Sequence, residues 1–391
     1  MPRRPAARDS SAAPLPGRGL VALLLLSAAA CQPRVLVTGP GAPGPGRGDD
    51  SHRRDATVDP ERAADAGPSP PSGGPSLPTA PTPPGDGGTA SDAGPPAAPS
   101  ACPGGTATTP ASCAALGVVV APAYAAFYSC FDLGPVPGLP MKKYGGLTLT
   151  QQPCSDTVLI GGDANLQTGK LYAIKIRRDP AGHISAFEGK AAIFSDAPYN
   201  DGGVTYGPGG VLFATRWPSN ELQQTKPGSA VVDKLTALDQ LGVAHASASI
   251  GFVPANLPGS GAFKLVAWPG GQWQTLGLAA DATGTYDVTA TKSTLTLPGG
   301  PEGFVYVAAG SPLFSKHSLL VSEWSANTIG TYEIDDKGDP QLATRKDFIT
   351  GLQGAEGAYR DPATGDFFFS TWGQTLDRVI VVRGFAPITI D

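Results

Sequence analysis

Three acidic residues stand at the head of glycine-led runs: Asp201 in Asp201-Gly202-Gly203-Val204, Glu302 in Glu302-Gly303-Phe304 and Glu356 in Glu356-Gly357-Ala358. Carboxylate oxygens are hard ligands, so three of them meeting at one point would suit Ca²⁺ or another divalent cation. Taken singly, a Glu-Gly at the start of a strand reads more simply as a solvated carboxylate, and the residues alone favour that plainer reading. No other chemistry is spelled out. His52, His183, His245 and His317 do not cluster, and the chain has no G-x-S-x-G elbow, H-E-x-x-H pair or G-x-x-x-x-G-K-[ST] loop. No catalytic residue can be named on this basis.

Positioning such carboxylates falls to a repeated unit. Ser318 to Asp335 reads as two alternating runs around Ser325-Ala326-Asn327, a β-hairpin. Its first strand ends at Trp324, and comparable strands end at Gly162, Trp217, Trp268 and Trp372. The intervals are 55 (217 − 162), 51 (268 − 217), 56 (324 − 268) and 48 (372 − 324), each long enough for one four-stranded unit. A glycine-led strand precedes each anchor: Gly145-Gly146-Leu147, Asp201-Gly202-Gly203, Ile250-Gly251-Phe252, Glu302-Gly303 and Glu356-Gly357. Asn165, Asn220 and Asn327, three residues past their anchors, suit turns with left-handed φ.

From Ala114 onward the signals are those of short strands bounded by Gly, Pro, Asn and Asp, with a helical period only over Lys234 to Leu241. The predicted fold is all-β, a β-propeller of five four-stranded blades, because a sandwich has no reason to repeat its sequence. Six blades result if the segments 113–139 and 281–297 count separately. A strand within Leu116 to Phe131 is expected to complete the last blade and close the ring. Trp217, Trp268, Trp324 and Trp372 are expected to wedge between blades rather than to form a stacking ring, whereas Trp273, outside the repeat, is the expected exposed, ligand-stacking aromatic.

LLVSEWSANTIGTYEID, EGAYRDPATGDFFFSTWGQTLDRVIVV and DGGVTYGPGGVLFATRW resemble the blades of NHL-repeat and SMP-30/gluconolactonase-like propellers. The resemblance spans roughly residues 140–385. It implies a channel lined by the first strand of each blade, with Asp201, Glu302 and Glu356 converging on its axis. It also implies a divalent metal held there by Glu, Asn and Asp, as in the lactonase group. Glu302 or Glu356 is similar to the Glu of that family's E-G-P motif, although Phe304 or Ala358 replaces the Pro, and no Asn or Asp ligand is assignable.

The N-terminal third differs in kind. Arg3, Arg4, Arg8 and Arg18 precede the apolar run Leu20 to Ala30, then Cys31, the pattern of an export signal over residues 1–30. The run is too short to cross a bilayer. Ala28-Ala29-Ala30-Cys31 resembles a bacterial lipobox, implying an acylated Cys31. Ala28 in place of Leu leaves ordinary secretion open, and Gln32 rather than Asp points to the outer membrane. Residues 32–100 carry no aromatic residue, Ile or Met and cannot bury enough apolar surface to order themselves. They read as a linker spanning roughly 45 Å, and residues 101–391 as the propeller. Cys102, Cys113, Cys130 and Cys154 suit two disulfides in an exported chain, in sequence order Cys102–Cys113 and Cys130–Cys154, with other pairings open.

With a formal net charge of −5 and no basic stripe, nucleic acid is not an expected partner. The expected function is a monomeric, membrane-tethered and non-enzymatic propeller that binds a protein, peptide or glycan. The alternative is a lactonase-like hydrolase with a divalent metal at Asp201, Glu302 and Glu356.

Overall fold

The computed structural model describes residues 109–139, 143–151, 155–373 and 377–387. These build five antiparallel sheets arranged as the blades of a β-propeller. Blade I runs Leu147–Leu149, Thr157–Gly162, Lys170–Arg178, Ile184–Asp196 from the axis outward, and blade II Asn200–Tyr206, Leu212–Arg216, Glu221–Thr225, Lys234–Ala237. Blade III holds Ser247–Phe252, Phe263–Ala267, Gln272–Ala280 and Tyr286–Ala290, and blade IV Pro301–Val307, Ser318–Glu323, Thr328–Glu333 and Lys346–Thr350. Blade V takes Ala355–Arg360, Phe367–Thr371 and Val379–Arg383 from the C-terminal end of the sequence, and Ser129–Gly134 from the other end as its fourth strand.

The ring therefore closes with the early strand foreseen from the sequence, at Ser129–Gly134, and Val119–Val120 extends blade IV. With residues 113–139 used in this way, the described residues form no sixth blade. The segment 281–297 supplies the outer strand of blade III and a short strand, Leu295–Thr296, beside Gln272–Ala280. Lys234 to Leu241 is a strand followed by a short 3-10 turn rather than a helix. The strand is the outermost of blade II, with Leu235 exposed.

The sequence repeats because each blade faces two neighbours. Strand periodicity sends alternate side chains to opposite faces, and here both faces are interior. Phe367 and Phe369 enter the core between blades IV and V, while Phe368 enters that between V and I. Leu319 and Val321 pack toward blade III, Leu320 toward blade V. The result is five apolar clusters, one per blade interface. At about 1.5–3 kcal/mol for each large side chain, these interfaces hold the ring together. The seam between blades V and I adds ion pairs: Arg178 to Asp361 at 2.6 Å, Arg383 to Asp179 at 2.8 Å and His183 to Asp366 at 2.8 Å.

Two cysteine expectations change. Ala111–Ser112 pairs antiparallel with Ser129–Gly134, bringing Cys113 and Cys130 to a Cα separation of 5.4 Å, and these two form the disulfide. The pairings Cys102–Cys113 and Cys130–Cys154 are thereby excluded; Cys102 and Cys154 lie outside the described residues, as does Cys31 with the export segment and linker. No helix among the described residues is long and apolar enough to cross a membrane.

Candidate channel site

Four of the five first strands, those of blades II to V, begin with a β-bulge, where register against the second strand slips: between Asn200 and Val204, Ser247 and Ser249, Pro301 and Gly303, and Ala355 and Ala358. A bulge re-aims the side chain it carries, and the bulged residues include Asp201, Glu302 and Glu356. In blade III the matching residues are Ala248-Ser249, two positions before the Ile250-Gly251 expected from the sequence, so that blade contributes no acid.

The next residue in three of these strands is glycine, and packing explains why. A Cβ on Gly202 would meet the carbonyl oxygen of Glu302; one on Gly303, the carbonyl oxygen of Glu356; one on Gly357 would lie 2.5 Å from Gly146 Cα; one on Gly146, 2.7 Å from Gly202 O. The four glycines form a girdle in which blades I, II, IV and V meet backbone to backbone at the axis. That closeness draws the carboxylates of Asp201, Glu302 and Glu356 together, with one oxygen of each within 4.8 Å of the others.

The plainer expectation of solvated carboxylates fails here. Asp201, Glu302 and Glu356 are 1%, 6% and 1% exposed. Asp201 Oδ2, Glu302 Oε2 and both carboxylate oxygens of Glu356 have no hydrogen-bond partner. Burial raises all three pKa values well above the usual carboxylate range; the charges of Asp201 and Glu356 push Glu302 up further, and those of Asp201 and Asp377 do the same to Glu356. Asp201 and Glu356 are close enough to hydrogen-bond, but two ionised carboxylates have no proton to share, so that bond requires one of them to be protonated. Buried like charges this close demand a proton or a cation between them.

Asn165 borders the group from the blade I turn. With its amide oriented by the surrounding network, its nitrogen donates to Asp201 Oδ1 at 3.0 Å and to Asn200 O at 3.1 Å. Its φ of 62°, with 48° at Asn220 and 56° at Asn327, is the left-handed turn geometry expected of these residues. The asparagines also tie blade to blade: Asn220 Oδ1 accepts from Ser247 N at 2.7 Å, and Asn327 Oδ1 from Gly354 N at 3.2 Å.

Above the carboxylates opens a cavity of 230 Å³ lined by Lys143, Asn165, Glu302, Glu356 and four tryptophans, Trp217, Trp268, Trp324 and Trp372. The tryptophans are not simple wedges. Each is half-buried, and Trp217, Trp268 and Trp324 meet edge to face at 6.2 and 6.0 Å, forming a continuous aromatic wall. Lys143 Nζ lies 5.6 Å from the centre of the Trp372 ring. Trp273, expected to be exposed, is 1% exposed; it packs on Phe304 between blades III and IV, and its Nε1 donates to Asp339 Oδ1 at 2.7 Å. Sequence reasoning missed the wall because it treated the anchors as packing residues. Their shared position at the end of the second strand, the same end as the acids, was the available signal.

The residues fit a divalent cation. One carboxylate oxygen from each of the three acids lies within 4.8 Å of the others, four of their oxygens have no hydrogen-bond partner among the described residues, and carboxylates are hard donors.

No family model and no curated protein matches this sequence. Similar architectures occur among solved structures. One is the PQQ-bound aldose sugar dehydrogenase of Streptomyces coelicolor: 12% identity over 72% of this chain and 96% of that one, TM-score 0.35. A second is a provisionally assigned gluconolactonase: 12% identity, 69% and 99% covered, TM-score 0.36. A third is a provisionally assigned 6-phosphogluconolactonase of Bacteroides uniformis: 11% identity, 68% and 80% covered, TM-score 0.36. At such identities and scores the likeness speaks to architecture alone. The printed names of these three neighbours are those of enzymes, contrary to the expected non-enzymatic binding module.

Proposed function

We propose that the chain is a divalent-metal-dependent hydrolase of small cyclic esters, acting at the tryptophan-lined mouth of the channel. The observation that carries this reading is the group of buried, unpartnered carboxylate oxygens of Asp201, Glu302 and Glu356 at the floor of an open cavity. Those three residues would hold the cation, which when bound would act as a Lewis acid on an ester carbonyl. The cavity of 230 Å³ limits the substrate to a small ring. The tryptophan wall offers aromatic faces to the ring's C–H surface. Lys143 supplies a positive charge at the rim, where it attracts the carboxylate that ring opening releases. Asn165 holds Asp201 in place by donating to its Oδ1, leaving Oδ2 for the cation.

The assay is hydrolysis of δ-gluconolactone and dihydrocoumarin by the full-length chain, with EDTA and with Ca²⁺, Mg²⁺, Mn²⁺ or Zn²⁺. Turnover that appears with one of these metals and disappears with EDTA supports the reading. Tight metal binding with no turnover of either ester would reject the hydrolase and leave the metal site.

The proposal extends to address. Export with an acylated Cys31, and display on a linker of residues 32–100, would hold this domain near an outer membrane. The expected result for Cys31→Ser is transfer of the protein from the membrane fraction to the soluble fraction, since stable anchoring takes at least two acyl chains. Equal partitioning of the two proteins would reject lipidation.

A further inference from the structure

The channel has a second mouth. First strands start at the carboxylate end, pass the glycine girdle and finish at the opposite face, where Tyr206, Phe252, Tyr306 and Arg360 lie at or near the ends of four of them. These residues and Phe304 line a cavity of 400 Å³, larger than the one above the acids. Its wall is aromatic, and Tyr306 already spends its hydroxyl on Gly338 O at 3.0 Å. The girdle, where the backbones of Gly146, Gly202, Gly303 and Gly357 meet, stands between the two cavities.

One charge faces this apolar space. The guanidinium of Arg360 is half-buried, and among the described residues no carboxylate forms a salt bridge with it. Asp361, its neighbour in sequence, is taken: its Oδ2 accepts from Arg178 Nη1 at 2.6 Å, both side chains being almost fully buried. Burial pulls the Arg360 pKa down to about 10, which leaves it positive at neutral pH. A cation among aromatic walls with no carboxylate paired to it is costly, and an anion entering the cavity would reduce that cost. A single guanidinium matches one negative charge and presents two parallel N–H groups to two oxygens. A phosphate monoester dianion would bring a second charge that nothing else in the wall offsets.

We infer that this second mouth binds a small apolar carboxylate, its two oxygens on Arg360 and its hydrocarbon part against Phe252, Phe304 and Tyr306. The site is independent of the metal-hydrolase reading.

The test is calorimetric titration of the full-length chain with phenylacetate at pH 7, alongside 2-phenylethanol and phenyl phosphate, with circular dichroism confirming the fold of each variant. Phenylacetate is expected to bind at least about tenfold more tightly than 2-phenylethanol, and Arg360→Gln to weaken it by at least about tenfold. Ala255→Trp, at an exposed position on the rim, is expected to block entry without disturbing the core, so it tests the site even if Arg360→Gln fails to fold. Divalent-metal binding at the other mouth is expected to be unchanged in Ala255→Trp. No binding of phenylacetate to the unaltered protein, equal binding of 2-phenylethanol, binding unaffected by Arg360→Gln or by Ala255→Trp, or a preference for phenyl phosphate would each overturn the inference.

Discussion

Replacing Glu356 by Gln is expected to abolish metal-dependent stabilisation and to lower ester hydrolysis by at least about 100-fold. Glu356 contributes two of the four unpartnered carboxylate oxygens, so its loss removes the largest share of the anionic floor. For the unaltered protein, saturation at 100 times Kd stabilises the folded state by about 2.7 kcal/mol, or about 5–10 °C in the melting midpoint of a domain this size. In Glu356→Gln that rise should vanish.

The same carboxyls make a pH prediction whose sign is fixed. Asp201, Glu302 and Glu356 have folded pKa values raised above their ordinary 3.8, 4.5 and 4.5, burial being the first cause. A raised value means that folding favours the protonated form. Their contribution to stability is therefore whole below about pH 4 and is lost as the pH climbs through the folded values. In EDTA the protein should become less stable with rising pH, and Glu356→Gln, which cannot ionise there, should fall less steeply. With metal bound the trend should reverse, because the cation takes the deprotonated form. Thermal melts from pH 4 to 8, with and without metal, measure this directly; a metal-free stability indifferent to pH, with no effect of cation, would remove the basis for a channel site.

Gly303→Ala should be strongly destabilising. A Cβ there would run into the carbonyl oxygen of Glu356 and would stand 2.9 Å from Ala358 N and 3.0 Å from Gly357 C. All three are backbone atoms of the next blade and have no rotamer to change. Overpacking a core by a methylene typically costs 1–3 kcal/mol; with no side chain able to move, about 3 kcal/mol or more is expected here, lowering the melting midpoint by about 6–12 °C. Gly189→Ala is the control. Gly189 has φ of 75° with open space around it, so it should show only left-handed strain of about 1–2 kcal/mol. Gly303→Ala should also weaken metal binding, since spreading blades IV and V separates Glu302 from Glu356. If both variants melt alike and bind metal alike, the girdle does not set the site.

The sequence by itself determined the repeat and its local chemistry. Continuous apolar runs such as Phe367-Phe368-Phe369, the Asn turns and the glycine-led starts each encode a neighbour's demands, and one blade's demands resemble the next's, so they recur at a readable period. The return of an early strand to the last blade was legible for the same reason. The three acids were picked out because they occupied one repeated position. Their environment could not be read, since solvation depends on how closely five blades approach the axis, and glycines on adjacent strands decide that jointly. The tertiary structure turned a solvated strand start into a buried anionic floor, and an interblade wedge into a cavity wall. It also decided that Cys113 meets Cys130: strand pairing between Ala111–Ser112 and Ser129–Gly134 sets that distance, whereas order along the chain does not. Arg360 carries no repeated mark at all; only the assembled ring shows that it ends its strand facing an apolar cavity with its neighbouring acid already bound to Arg178.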